Sequence, residues 1–170
     1  MEFLIKTPRL ILKPSTLDDF ENTYAHQSDL DTMRYIHKAR DREEVKASLD
    51  KSILHYQKHG FSIGSVFEKE TGAFIGRAGL FYLGYDDTQT EIEVGYILNK
   101  KFWGKGYATE LAKAIIEWGF QHLPINKLIA VIHPENEKSR HVIKKTGMEY
   151  VGRIYLYDKE NEKYEIHRVS

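Results

Sequence analysis

The segment Trp103-Gly104-Lys105-Gly106-Tyr107-Ala108-Thr109 joins an apolar, β-branched run to the longest amphipathic stretch of the chain, and it constrains the fold more than any other. Gly104 and Gly106 lack a Cβ, so the backbone there can turn sharply and lie close to a ligand. The amides from about Gly106 to Thr109 open a helix without intrahelical acceptors and present the positive end of its dipole, which suits a phosphate or diphosphate. An ordinary glycine turn fits the same residues, and on this segment alone both readings stand. Two other nucleotide motifs fail in detail. A P-loop needs Gly five residues before its Gly-Lys pair and Ser or Thr after it, where this chain has Asn99 and Gly106. A dinucleotide fingerprint needs a third glycine where Thr109 stands, and a parallel unit rather than a meander before it.

The flanking pattern supplies the elements. Phe3 to Leu12 reads as a strand ended by Pro14, and Ser15, Thr16, Asp18 and Asp19 start a helix running to about Ser28. A second helix is expected over Arg42 to Lys58, with Val45, Leu49 and Ile53 on one stripe and Gly60 stopping it. Phe61 to Leu98 reads as three strands in a meander, and Ala108, Leu111, Ala112, Ile115 and Gly119 place a helix over Gly106 to His122. Lys127 to His133 reads as a buried strand, Asn136 to Lys145 as a short helix, and Met148 to Leu156 with Tyr164 to Val169 as a hairpin. The order β, α, α, β, β, β, α, β, α, β, β predicts an α/β fold, a mixed sheet with helices on both faces.

Composition bounds the rest. The 170 residues suit one domain, 1–170, and the 41% hydrophobic and 29% charged content argues against a disordered or fibrous chain. With no cysteine, thiol catalysis, disulfides and thiolate zinc sites are out of reach. Lys plus Arg equals Asp plus Glu at 25 each, so no global field draws the chain to nucleic acid or an anionic membrane. The N-terminal stretch carries Glu2, Lys6, Arg9 and Lys13, and no run approaches a membrane span, so a soluble, cytoplasmic protein is expected.

Four ordered motifs resemble the GCN5-related N-acetyltransferases (GNAT), and within them the RimJ/RimL-type branch. Thr7-Pro8-Arg9-Leu10-Ile11-Leu12-Lys13-Pro14 is similar to that branch's opening strand, Glu93-Val94-Gly95-Tyr96-Ile97-Leu98 to its fourth strand, and Trp103 to Thr109 to its pyrophosphate loop. Asn136, Ser139 and Gly147-Met148 fall where the branch has its Asn-x-x-Ser helix and terminal Gly-Phe. The resemblance implies a GNAT fold, a mostly antiparallel twisted sheet of about seven strands splayed between strands 4 and 5, here Thr90 to Leu98 and Lys127 to His133. It implies acetyl-coenzyme A as donor, with its diphosphate held around Trp103, Gly104, Lys105, Gly106, Tyr107, Ala108 and Thr109 and its pantetheine arm beside Ile97 and Leu98. It also implies that Asn136 and Ser139 meet the coenzyme. The tyrosine that many members use to protonate the departing thiolate is Ile143 here.

Acetyl transfer to an amine needs a polarised thioester, a neutral amine and a proton for the thiolate. Direct attack in a ternary complex needs no enzyme nucleophile, which suits this chain. Glu93 and Glu91 are the carboxylates expected to take the amine's proton, because residues two apart share a strand face; a solvated strand face is the alternative. Asp158 reads as another carboxylate or as a turn residue. Ser139 is the candidate acid or thiolate partner, with Tyr150 and Tyr155 as alternatives, and Asn136 reads equally as a helix cap. His55 and His59 share a helical face, but no catalytic Glu or third ligand accompanies them, so no metal is expected. The expected acceptor is a peptide or ribosomal-protein N-terminal amine, or else a small amine such as a polyamine or aminoglycoside. A coenzyme A-binding module without catalysis is the alternative from a different class. Monomer and homodimer both remain open.

Overall fold

The computed structural model describes residues 2–170. Its strands are β1 (Ile5–Lys6), β2 (Leu10–Pro14), β3 (Ile63–Glu68), β4 (Phe74–Tyr82), β5 (Ile92–Leu98), β6 (Lys127–Ile132), β7 (Glu149–Leu156) and β8 (Lys159–His167). Its helices are α1 (Phe20–Gln27), α2 (Leu30–Met33), α3 (Arg42–His59), α4 (Tyr107–His122) and α5 (Glu137–Lys145). One sheet runs in the order β1-β2-β3-β4-β5-β6-β8-β7, antiparallel at every junction except β5–β6. None of the described helices is long and apolar enough to cross a membrane.

The sheet has eight strands rather than about seven because the opening run folds back on itself. Thr7 makes the turn: its amide donates to Leu10 O at 2.9 Å, and the Leu10 amide donates back to Thr7 Oγ1 at 2.9 Å. Glu110, in the first turn of α4, clamps this turn from across the molecule. Its carboxylate accepts from Thr7 Oγ1 at 2.6 Å, from the Arg9 amide at 3.1 Å and from Arg9 Nε at 2.9 Å. Two further differences are local. The short helix α2 forms where only a loop was expected, opened by Asp29, whose carboxylate accepts from the Thr32 amide at 2.9 Å. The strand expected from Tyr164 begins five residues earlier, at Lys159, because Tyr157 and Asp158 both take left-handed angles (φ 56° and 60°) and close a two-residue hairpin turn.

The two faces of the sheet differ in chemistry. Beneath α4 and α5, Leu10, Leu12, Val66, Leu80, Val94, Leu111, Ile115 and Leu128 form a continuous apolar core, closed at one end by the edge-on contact of Phe3 with Trp118. Under α1 and α3 the buried side chains include Arg77, Glu93, His26, Ser52 and Ser65. Such groups are costly to bury without a use or a partner. Glu110→Ala removes the acceptor of the part-buried Thr7 hydroxyl and of two exposed Arg9 donors and is expected to lower the unfolding free energy in urea by about 1 kcal/mol.

Candidate active site

The site begins where β5 and β6 part. They are parallel and share one register pair, Glu93 with Ile129, beyond which the strands diverge. Glu93 therefore sits at the apex of a fork. Its side chain is 6% exposed. Its one hydrogen-bond partner among the described residues is the Tyr157 hydroxyl, which donates to Glu93 Oε2 at 3.0 Å. Burial pushes the Glu93 carboxyl from an ordinary 4.5 up to about 8, only partly offset by that hydrogen bond. Tyr157 sits in the left-handed turn that joins β7 to β8, the neighbour of β6 in the sheet. Burial, and then the neighbouring carboxylate, push the Tyr157 phenol far above its usual range.

Glu91, expected to act beside Glu93, lies just outside β5 and is held elsewhere. Its Oε1 accepts from Lys127 Nζ and Lys163 Nζ, both at 2.9 Å, and Glu165 Oε1 lies 3.2 Å from Lys127 Nζ in the same cluster. Burial raises the Glu91 carboxyl, but the two ammonium groups outweigh it and leave it below its ordinary value. The geometry thus separates the two carboxylates. Asp158 forms the hairpin turn, and Tyr150 and Tyr155 are exposed on β7.

On the opposite face of β5 the Tyr96 hydroxyl lies 2.8 Å from Ser139 Oγ, joining β5 to α5 across the open part of the fork. Burial pushes this phenol up to about 12. Ser139 is fixed in turn by Asn136, whose Oδ1 accepts the Ser139 amide at 3.2 Å and caps α5. The helix-cap reading of Asn136 is therefore realised. The carbonyls of Ile97 and Leu98 are engaged, the first by His26 Nε2 at 2.8 Å and the second by Trp103 Nε1 at 2.9 Å. Burial lowers His26 to about 4, so at neutral pH its ring is uncharged and Nε2 carries the donated hydrogen.

At the head of α4, Gly104 and Gly106 both adopt left-handed angles, φ 77° and 79°. A Cβ built on Gly104 would meet no atom within 4 Å, so the loop is open to solvent there. The helix's own hydrogen bonding starts with the Glu110 amide donating to Gly106 O at 3.1 Å, so the amides of Tyr107, Ala108 and Thr109 have no helical acceptor. Lys105 stands over Phe102, 5.4 Å from its ring centre, and Lys138 of α5 over Trp103 at 4.6 Å. The Tyr107 side chain turns inward, its hydroxyl donating to Glu68. Arg9 braces the turn from below, with its guanidinium 4.4 Å from the Tyr107 ring centre.

Sequence reasoning missed three polar residues of the buried face or the fork, Arg77, Tyr96 and Tyr157. Arg77 is 3% exposed, and its Nη2 donates to Ser52 Oγ at 2.9 Å. Tyr85 stacks on Phe81, which pairs across strands with Glu93. A lone arginine within Phe74–Phe81 was a legible signal; the tyrosines had none, because a tyrosine on a strand is more often a packing residue. The histidine pair serves the fold. His55 Nδ1 donates to Phe61 O at 2.8 Å while its Nε2 accepts the Tyr82 amide at 3.2 Å.

Comparison with known proteins agrees with this geometry. Residues 9–149 match the family model described as an acetyltransferase (GNAT) domain. The chain belongs to the GNAT acetyltransferase family. It is 32% identical over 149 residues to the uncharacterized N-acetyltransferase YnaD of Bacillus subtilis, spanning 87% of this chain and 84% of that one. It is 29% identical over 147 residues to spermidine N(1)-acetyltransferase of Escherichia coli, spanning 84% and 74%. The aminoglycoside acetyltransferase AAC(6')-Ib, solved in complex with coenzyme A, superposes with a TM-score of 0.78 at 18% identity over 94% of this chain and 95% of that one. The eight-stranded sheet with its single parallel junction is thus a GNAT fold, and the chain is an N-acetyltransferase of that type.

The raised Glu93 pKa has a direct consequence for stability. Between about 4.5 and 8 the folded protein binds more protons than the unfolded one, so this group makes stability fall as pH rises through that window. Glu93→Gln removes the dependence. The variant's unfolding free energy in urea is expected to gain on the parent's as pH is raised from 5 to 8, by on the order of 1 kcal/mol per pH unit at most.

Proposed function

We propose that the protein transfers the acetyl group of acetyl-coenzyme A directly to a primary amine, with Glu93 as the general base. One observation carries this reading: a carboxyl group, buried at the apex of the β5–β6 fork with a single tyrosine partner, titrates near the pH at which a base must work. The incoming ammonium gives its proton to Glu93, Tyr157 orients the carboxylate, and the freed lone pair attacks the thioester carbon. The carbon–sulfur bond then breaks. The Tyr96–Ser139 hydroxyl pair donates a hydrogen bond to the departing thiolate and relays to it the second proton of the attacking nitrogen, so that both hydroxyls end protonated, in place of the tyrosine that Ile143 replaces.

The donor would lie with its diphosphate on the backbone from Gly104 to Thr109, flanked by Trp103 and Lys105, and with its pantetheine arm beside Ile97, Leu98, Asn136 and Ser139. Left-handed glycines, amides without helical acceptors and nearby lysines support that assignment. The Glu91 ion pairs support a structural role for that residue instead of catalysis. The motif order from Thr7 to Pro14 favours the RimJ/RimL-type branch, whose acceptors are protein N-termini. The likeness to spermidine N(1)-acetyltransferase favours a small amine. We infer the small amine, and a basin of about 300 Å³ opens beside the end of β6 and the start of β8.

Thiol release from acetyl-coenzyme A, screened over amines, tests the reaction. Glu93→Gln is expected to lower kcat at least about 100-fold with little change in donor affinity. The rising limb of the parent's pH profile is expected to have its midpoint near 8, as Glu93 deprotonates. Gly106→Val should instead weaken coenzyme A binding in calorimetry by about tenfold or more, because a β-branched residue resists the left-handed angle. Donor binding with no turnover on any amine would leave a coenzyme A-binding module.

A further inference from the structure

Basic side chains gather near the end of β6. Where β6 ends, a basin of about 300 Å³ opens between the α2 loop, the end of β6 and the start of β8. Five of its seven lining residues are basic: Arg34, His37, Lys38, His133 and Lys159. The other two are apolar, and none is acidic. His133 follows the last residue of β6, the strand that leaves β5 at Glu93, and Lys159 lies two residues from Tyr157, whose hydroxyl holds Glu93. The basin is thus built on the two elements that frame the buried carboxyl.

Its parts are held in place. The Tyr35 ring packs against His133 at 5.2 Å, and Lys159 Nζ donates to Tyr35 O at 3.4 Å, tying the α2 loop to both walls. His133 Nδ1 accepts the Glu135 amide at 3.1 Å, which leaves Nε2 to carry the ring hydrogen of the neutral form as a donor. Of the three permanent cations only Arg34 has a carboxylate within ion-pair range among the described residues, Asp31 at 3.6 Å, and Asp31 lies closer to Lys100, at 2.6 Å. Burial lowers the Lys159 ammonium below its usual range, the direction expected of a shielded cation with no counter-charge. A neutral chain that gathers uncompensated cations at one concave site creates a local positive potential, which attracts anions and repels polycations.

We propose that the acceptor is a small primary amine that also carries a carboxylate or phosphate group, which docks on Lys38, Lys159 and His133 while the amine reaches Glu93. This rests on the reading of the chain as an amine acetyltransferase and narrows its substrate to an anionic class. Polyamines and aminoglycosides, which bring several positive charges, are disfavoured by the same field.

Matched pairs of amines test it. Thiol release from acetyl-coenzyme A is compared for L-alanine against L-alaninamide, for O-phosphoethanolamine against ethanolamine, and for spermidine. The parent is expected to favour the anionic member of at least one pair by about tenfold or more in kcat/KM, and the pair that responds distinguishes carboxylate from phosphate. Lys38→Glu and Lys159→Glu should each raise KM for that amine by about tenfold while leaving kcat and the KM for acetyl-coenzyme A within about twofold. A neutral twin or spermidine used better than both anionic amines overturns the proposal. Should no amine release thiol, the transfer reading alone fails, and binding decides the basin. Saturable shifts of the His37 and His133 ring signals in an NMR titration of the parent with O-phosphoethanolamine, lost in both lysine variants, would uphold an anion site. Unmoved ring signals would overturn it.

Discussion

Two parallel strands that touch at one residue pair and then separate set the terms for everything around them. Backbone groups along the inner edges of β5 and β6 lose their ladder beyond Glu93 and Ile129. A continuous sheet would satisfy them, whereas a fork leaves room for an extended ligand to lie between the strands. The same divergence opens a passage between the two faces of the sheet. Glu93 stands at its apex toward the polar face, and Tyr96 with Ser139 bridges it on the other.

That geometry holds only if the flanking elements are fixed, and one carboxylate ties several of them together. Glu110 links the Thr7–Arg9 turn to the first turn of α4, and Arg9 in turn packs on Tyr107 beside Gly106. The opening turn and the glycine loop are remote in sequence but meet at the helix head. Apolar burial under α4 and α5 supplies the stability, and the face under α1 and α3 carries the cost of Arg77, Glu93 and His26. A buried carboxyl with a raised pKa destabilises the fold at neutral pH.

Much of this was legible beforehand, for identifiable reasons. Helices α3 and α4 follow from apolar spacing and from Gly60 and Gly106 at their ends, and the structure sets them within one residue of expectation. The first strand was read as one because Thr7-Pro8-Arg9 is short and flanked by apolar residues on both sides; Thr7 closes the turn on Leu10, and Glu110, a hundred residues away, clamps it. Lys159 to Lys163 is polar and lacks a strand signature, yet it pairs with β6 and β7, and tertiary pairing overrode composition. Glu91 and Glu93 are equivalent by strand periodicity, and what separates them is the position of Lys127 and Lys163.

The order of elements, the glycine turn at the head of α4 and the parity that puts Glu93 on one face of β5 were determined by local sequence. These depend on neighbours a few residues apart, through helical period, strand alternation and the freedom of residues without a Cβ. Which carboxylate is buried, which tyrosine meets it and where the unpaired cations gather were decided by the tertiary structure alone. Desolvation and Coulomb forces act through space between residues distant along the chain, and no one-dimensional pattern encodes those distances.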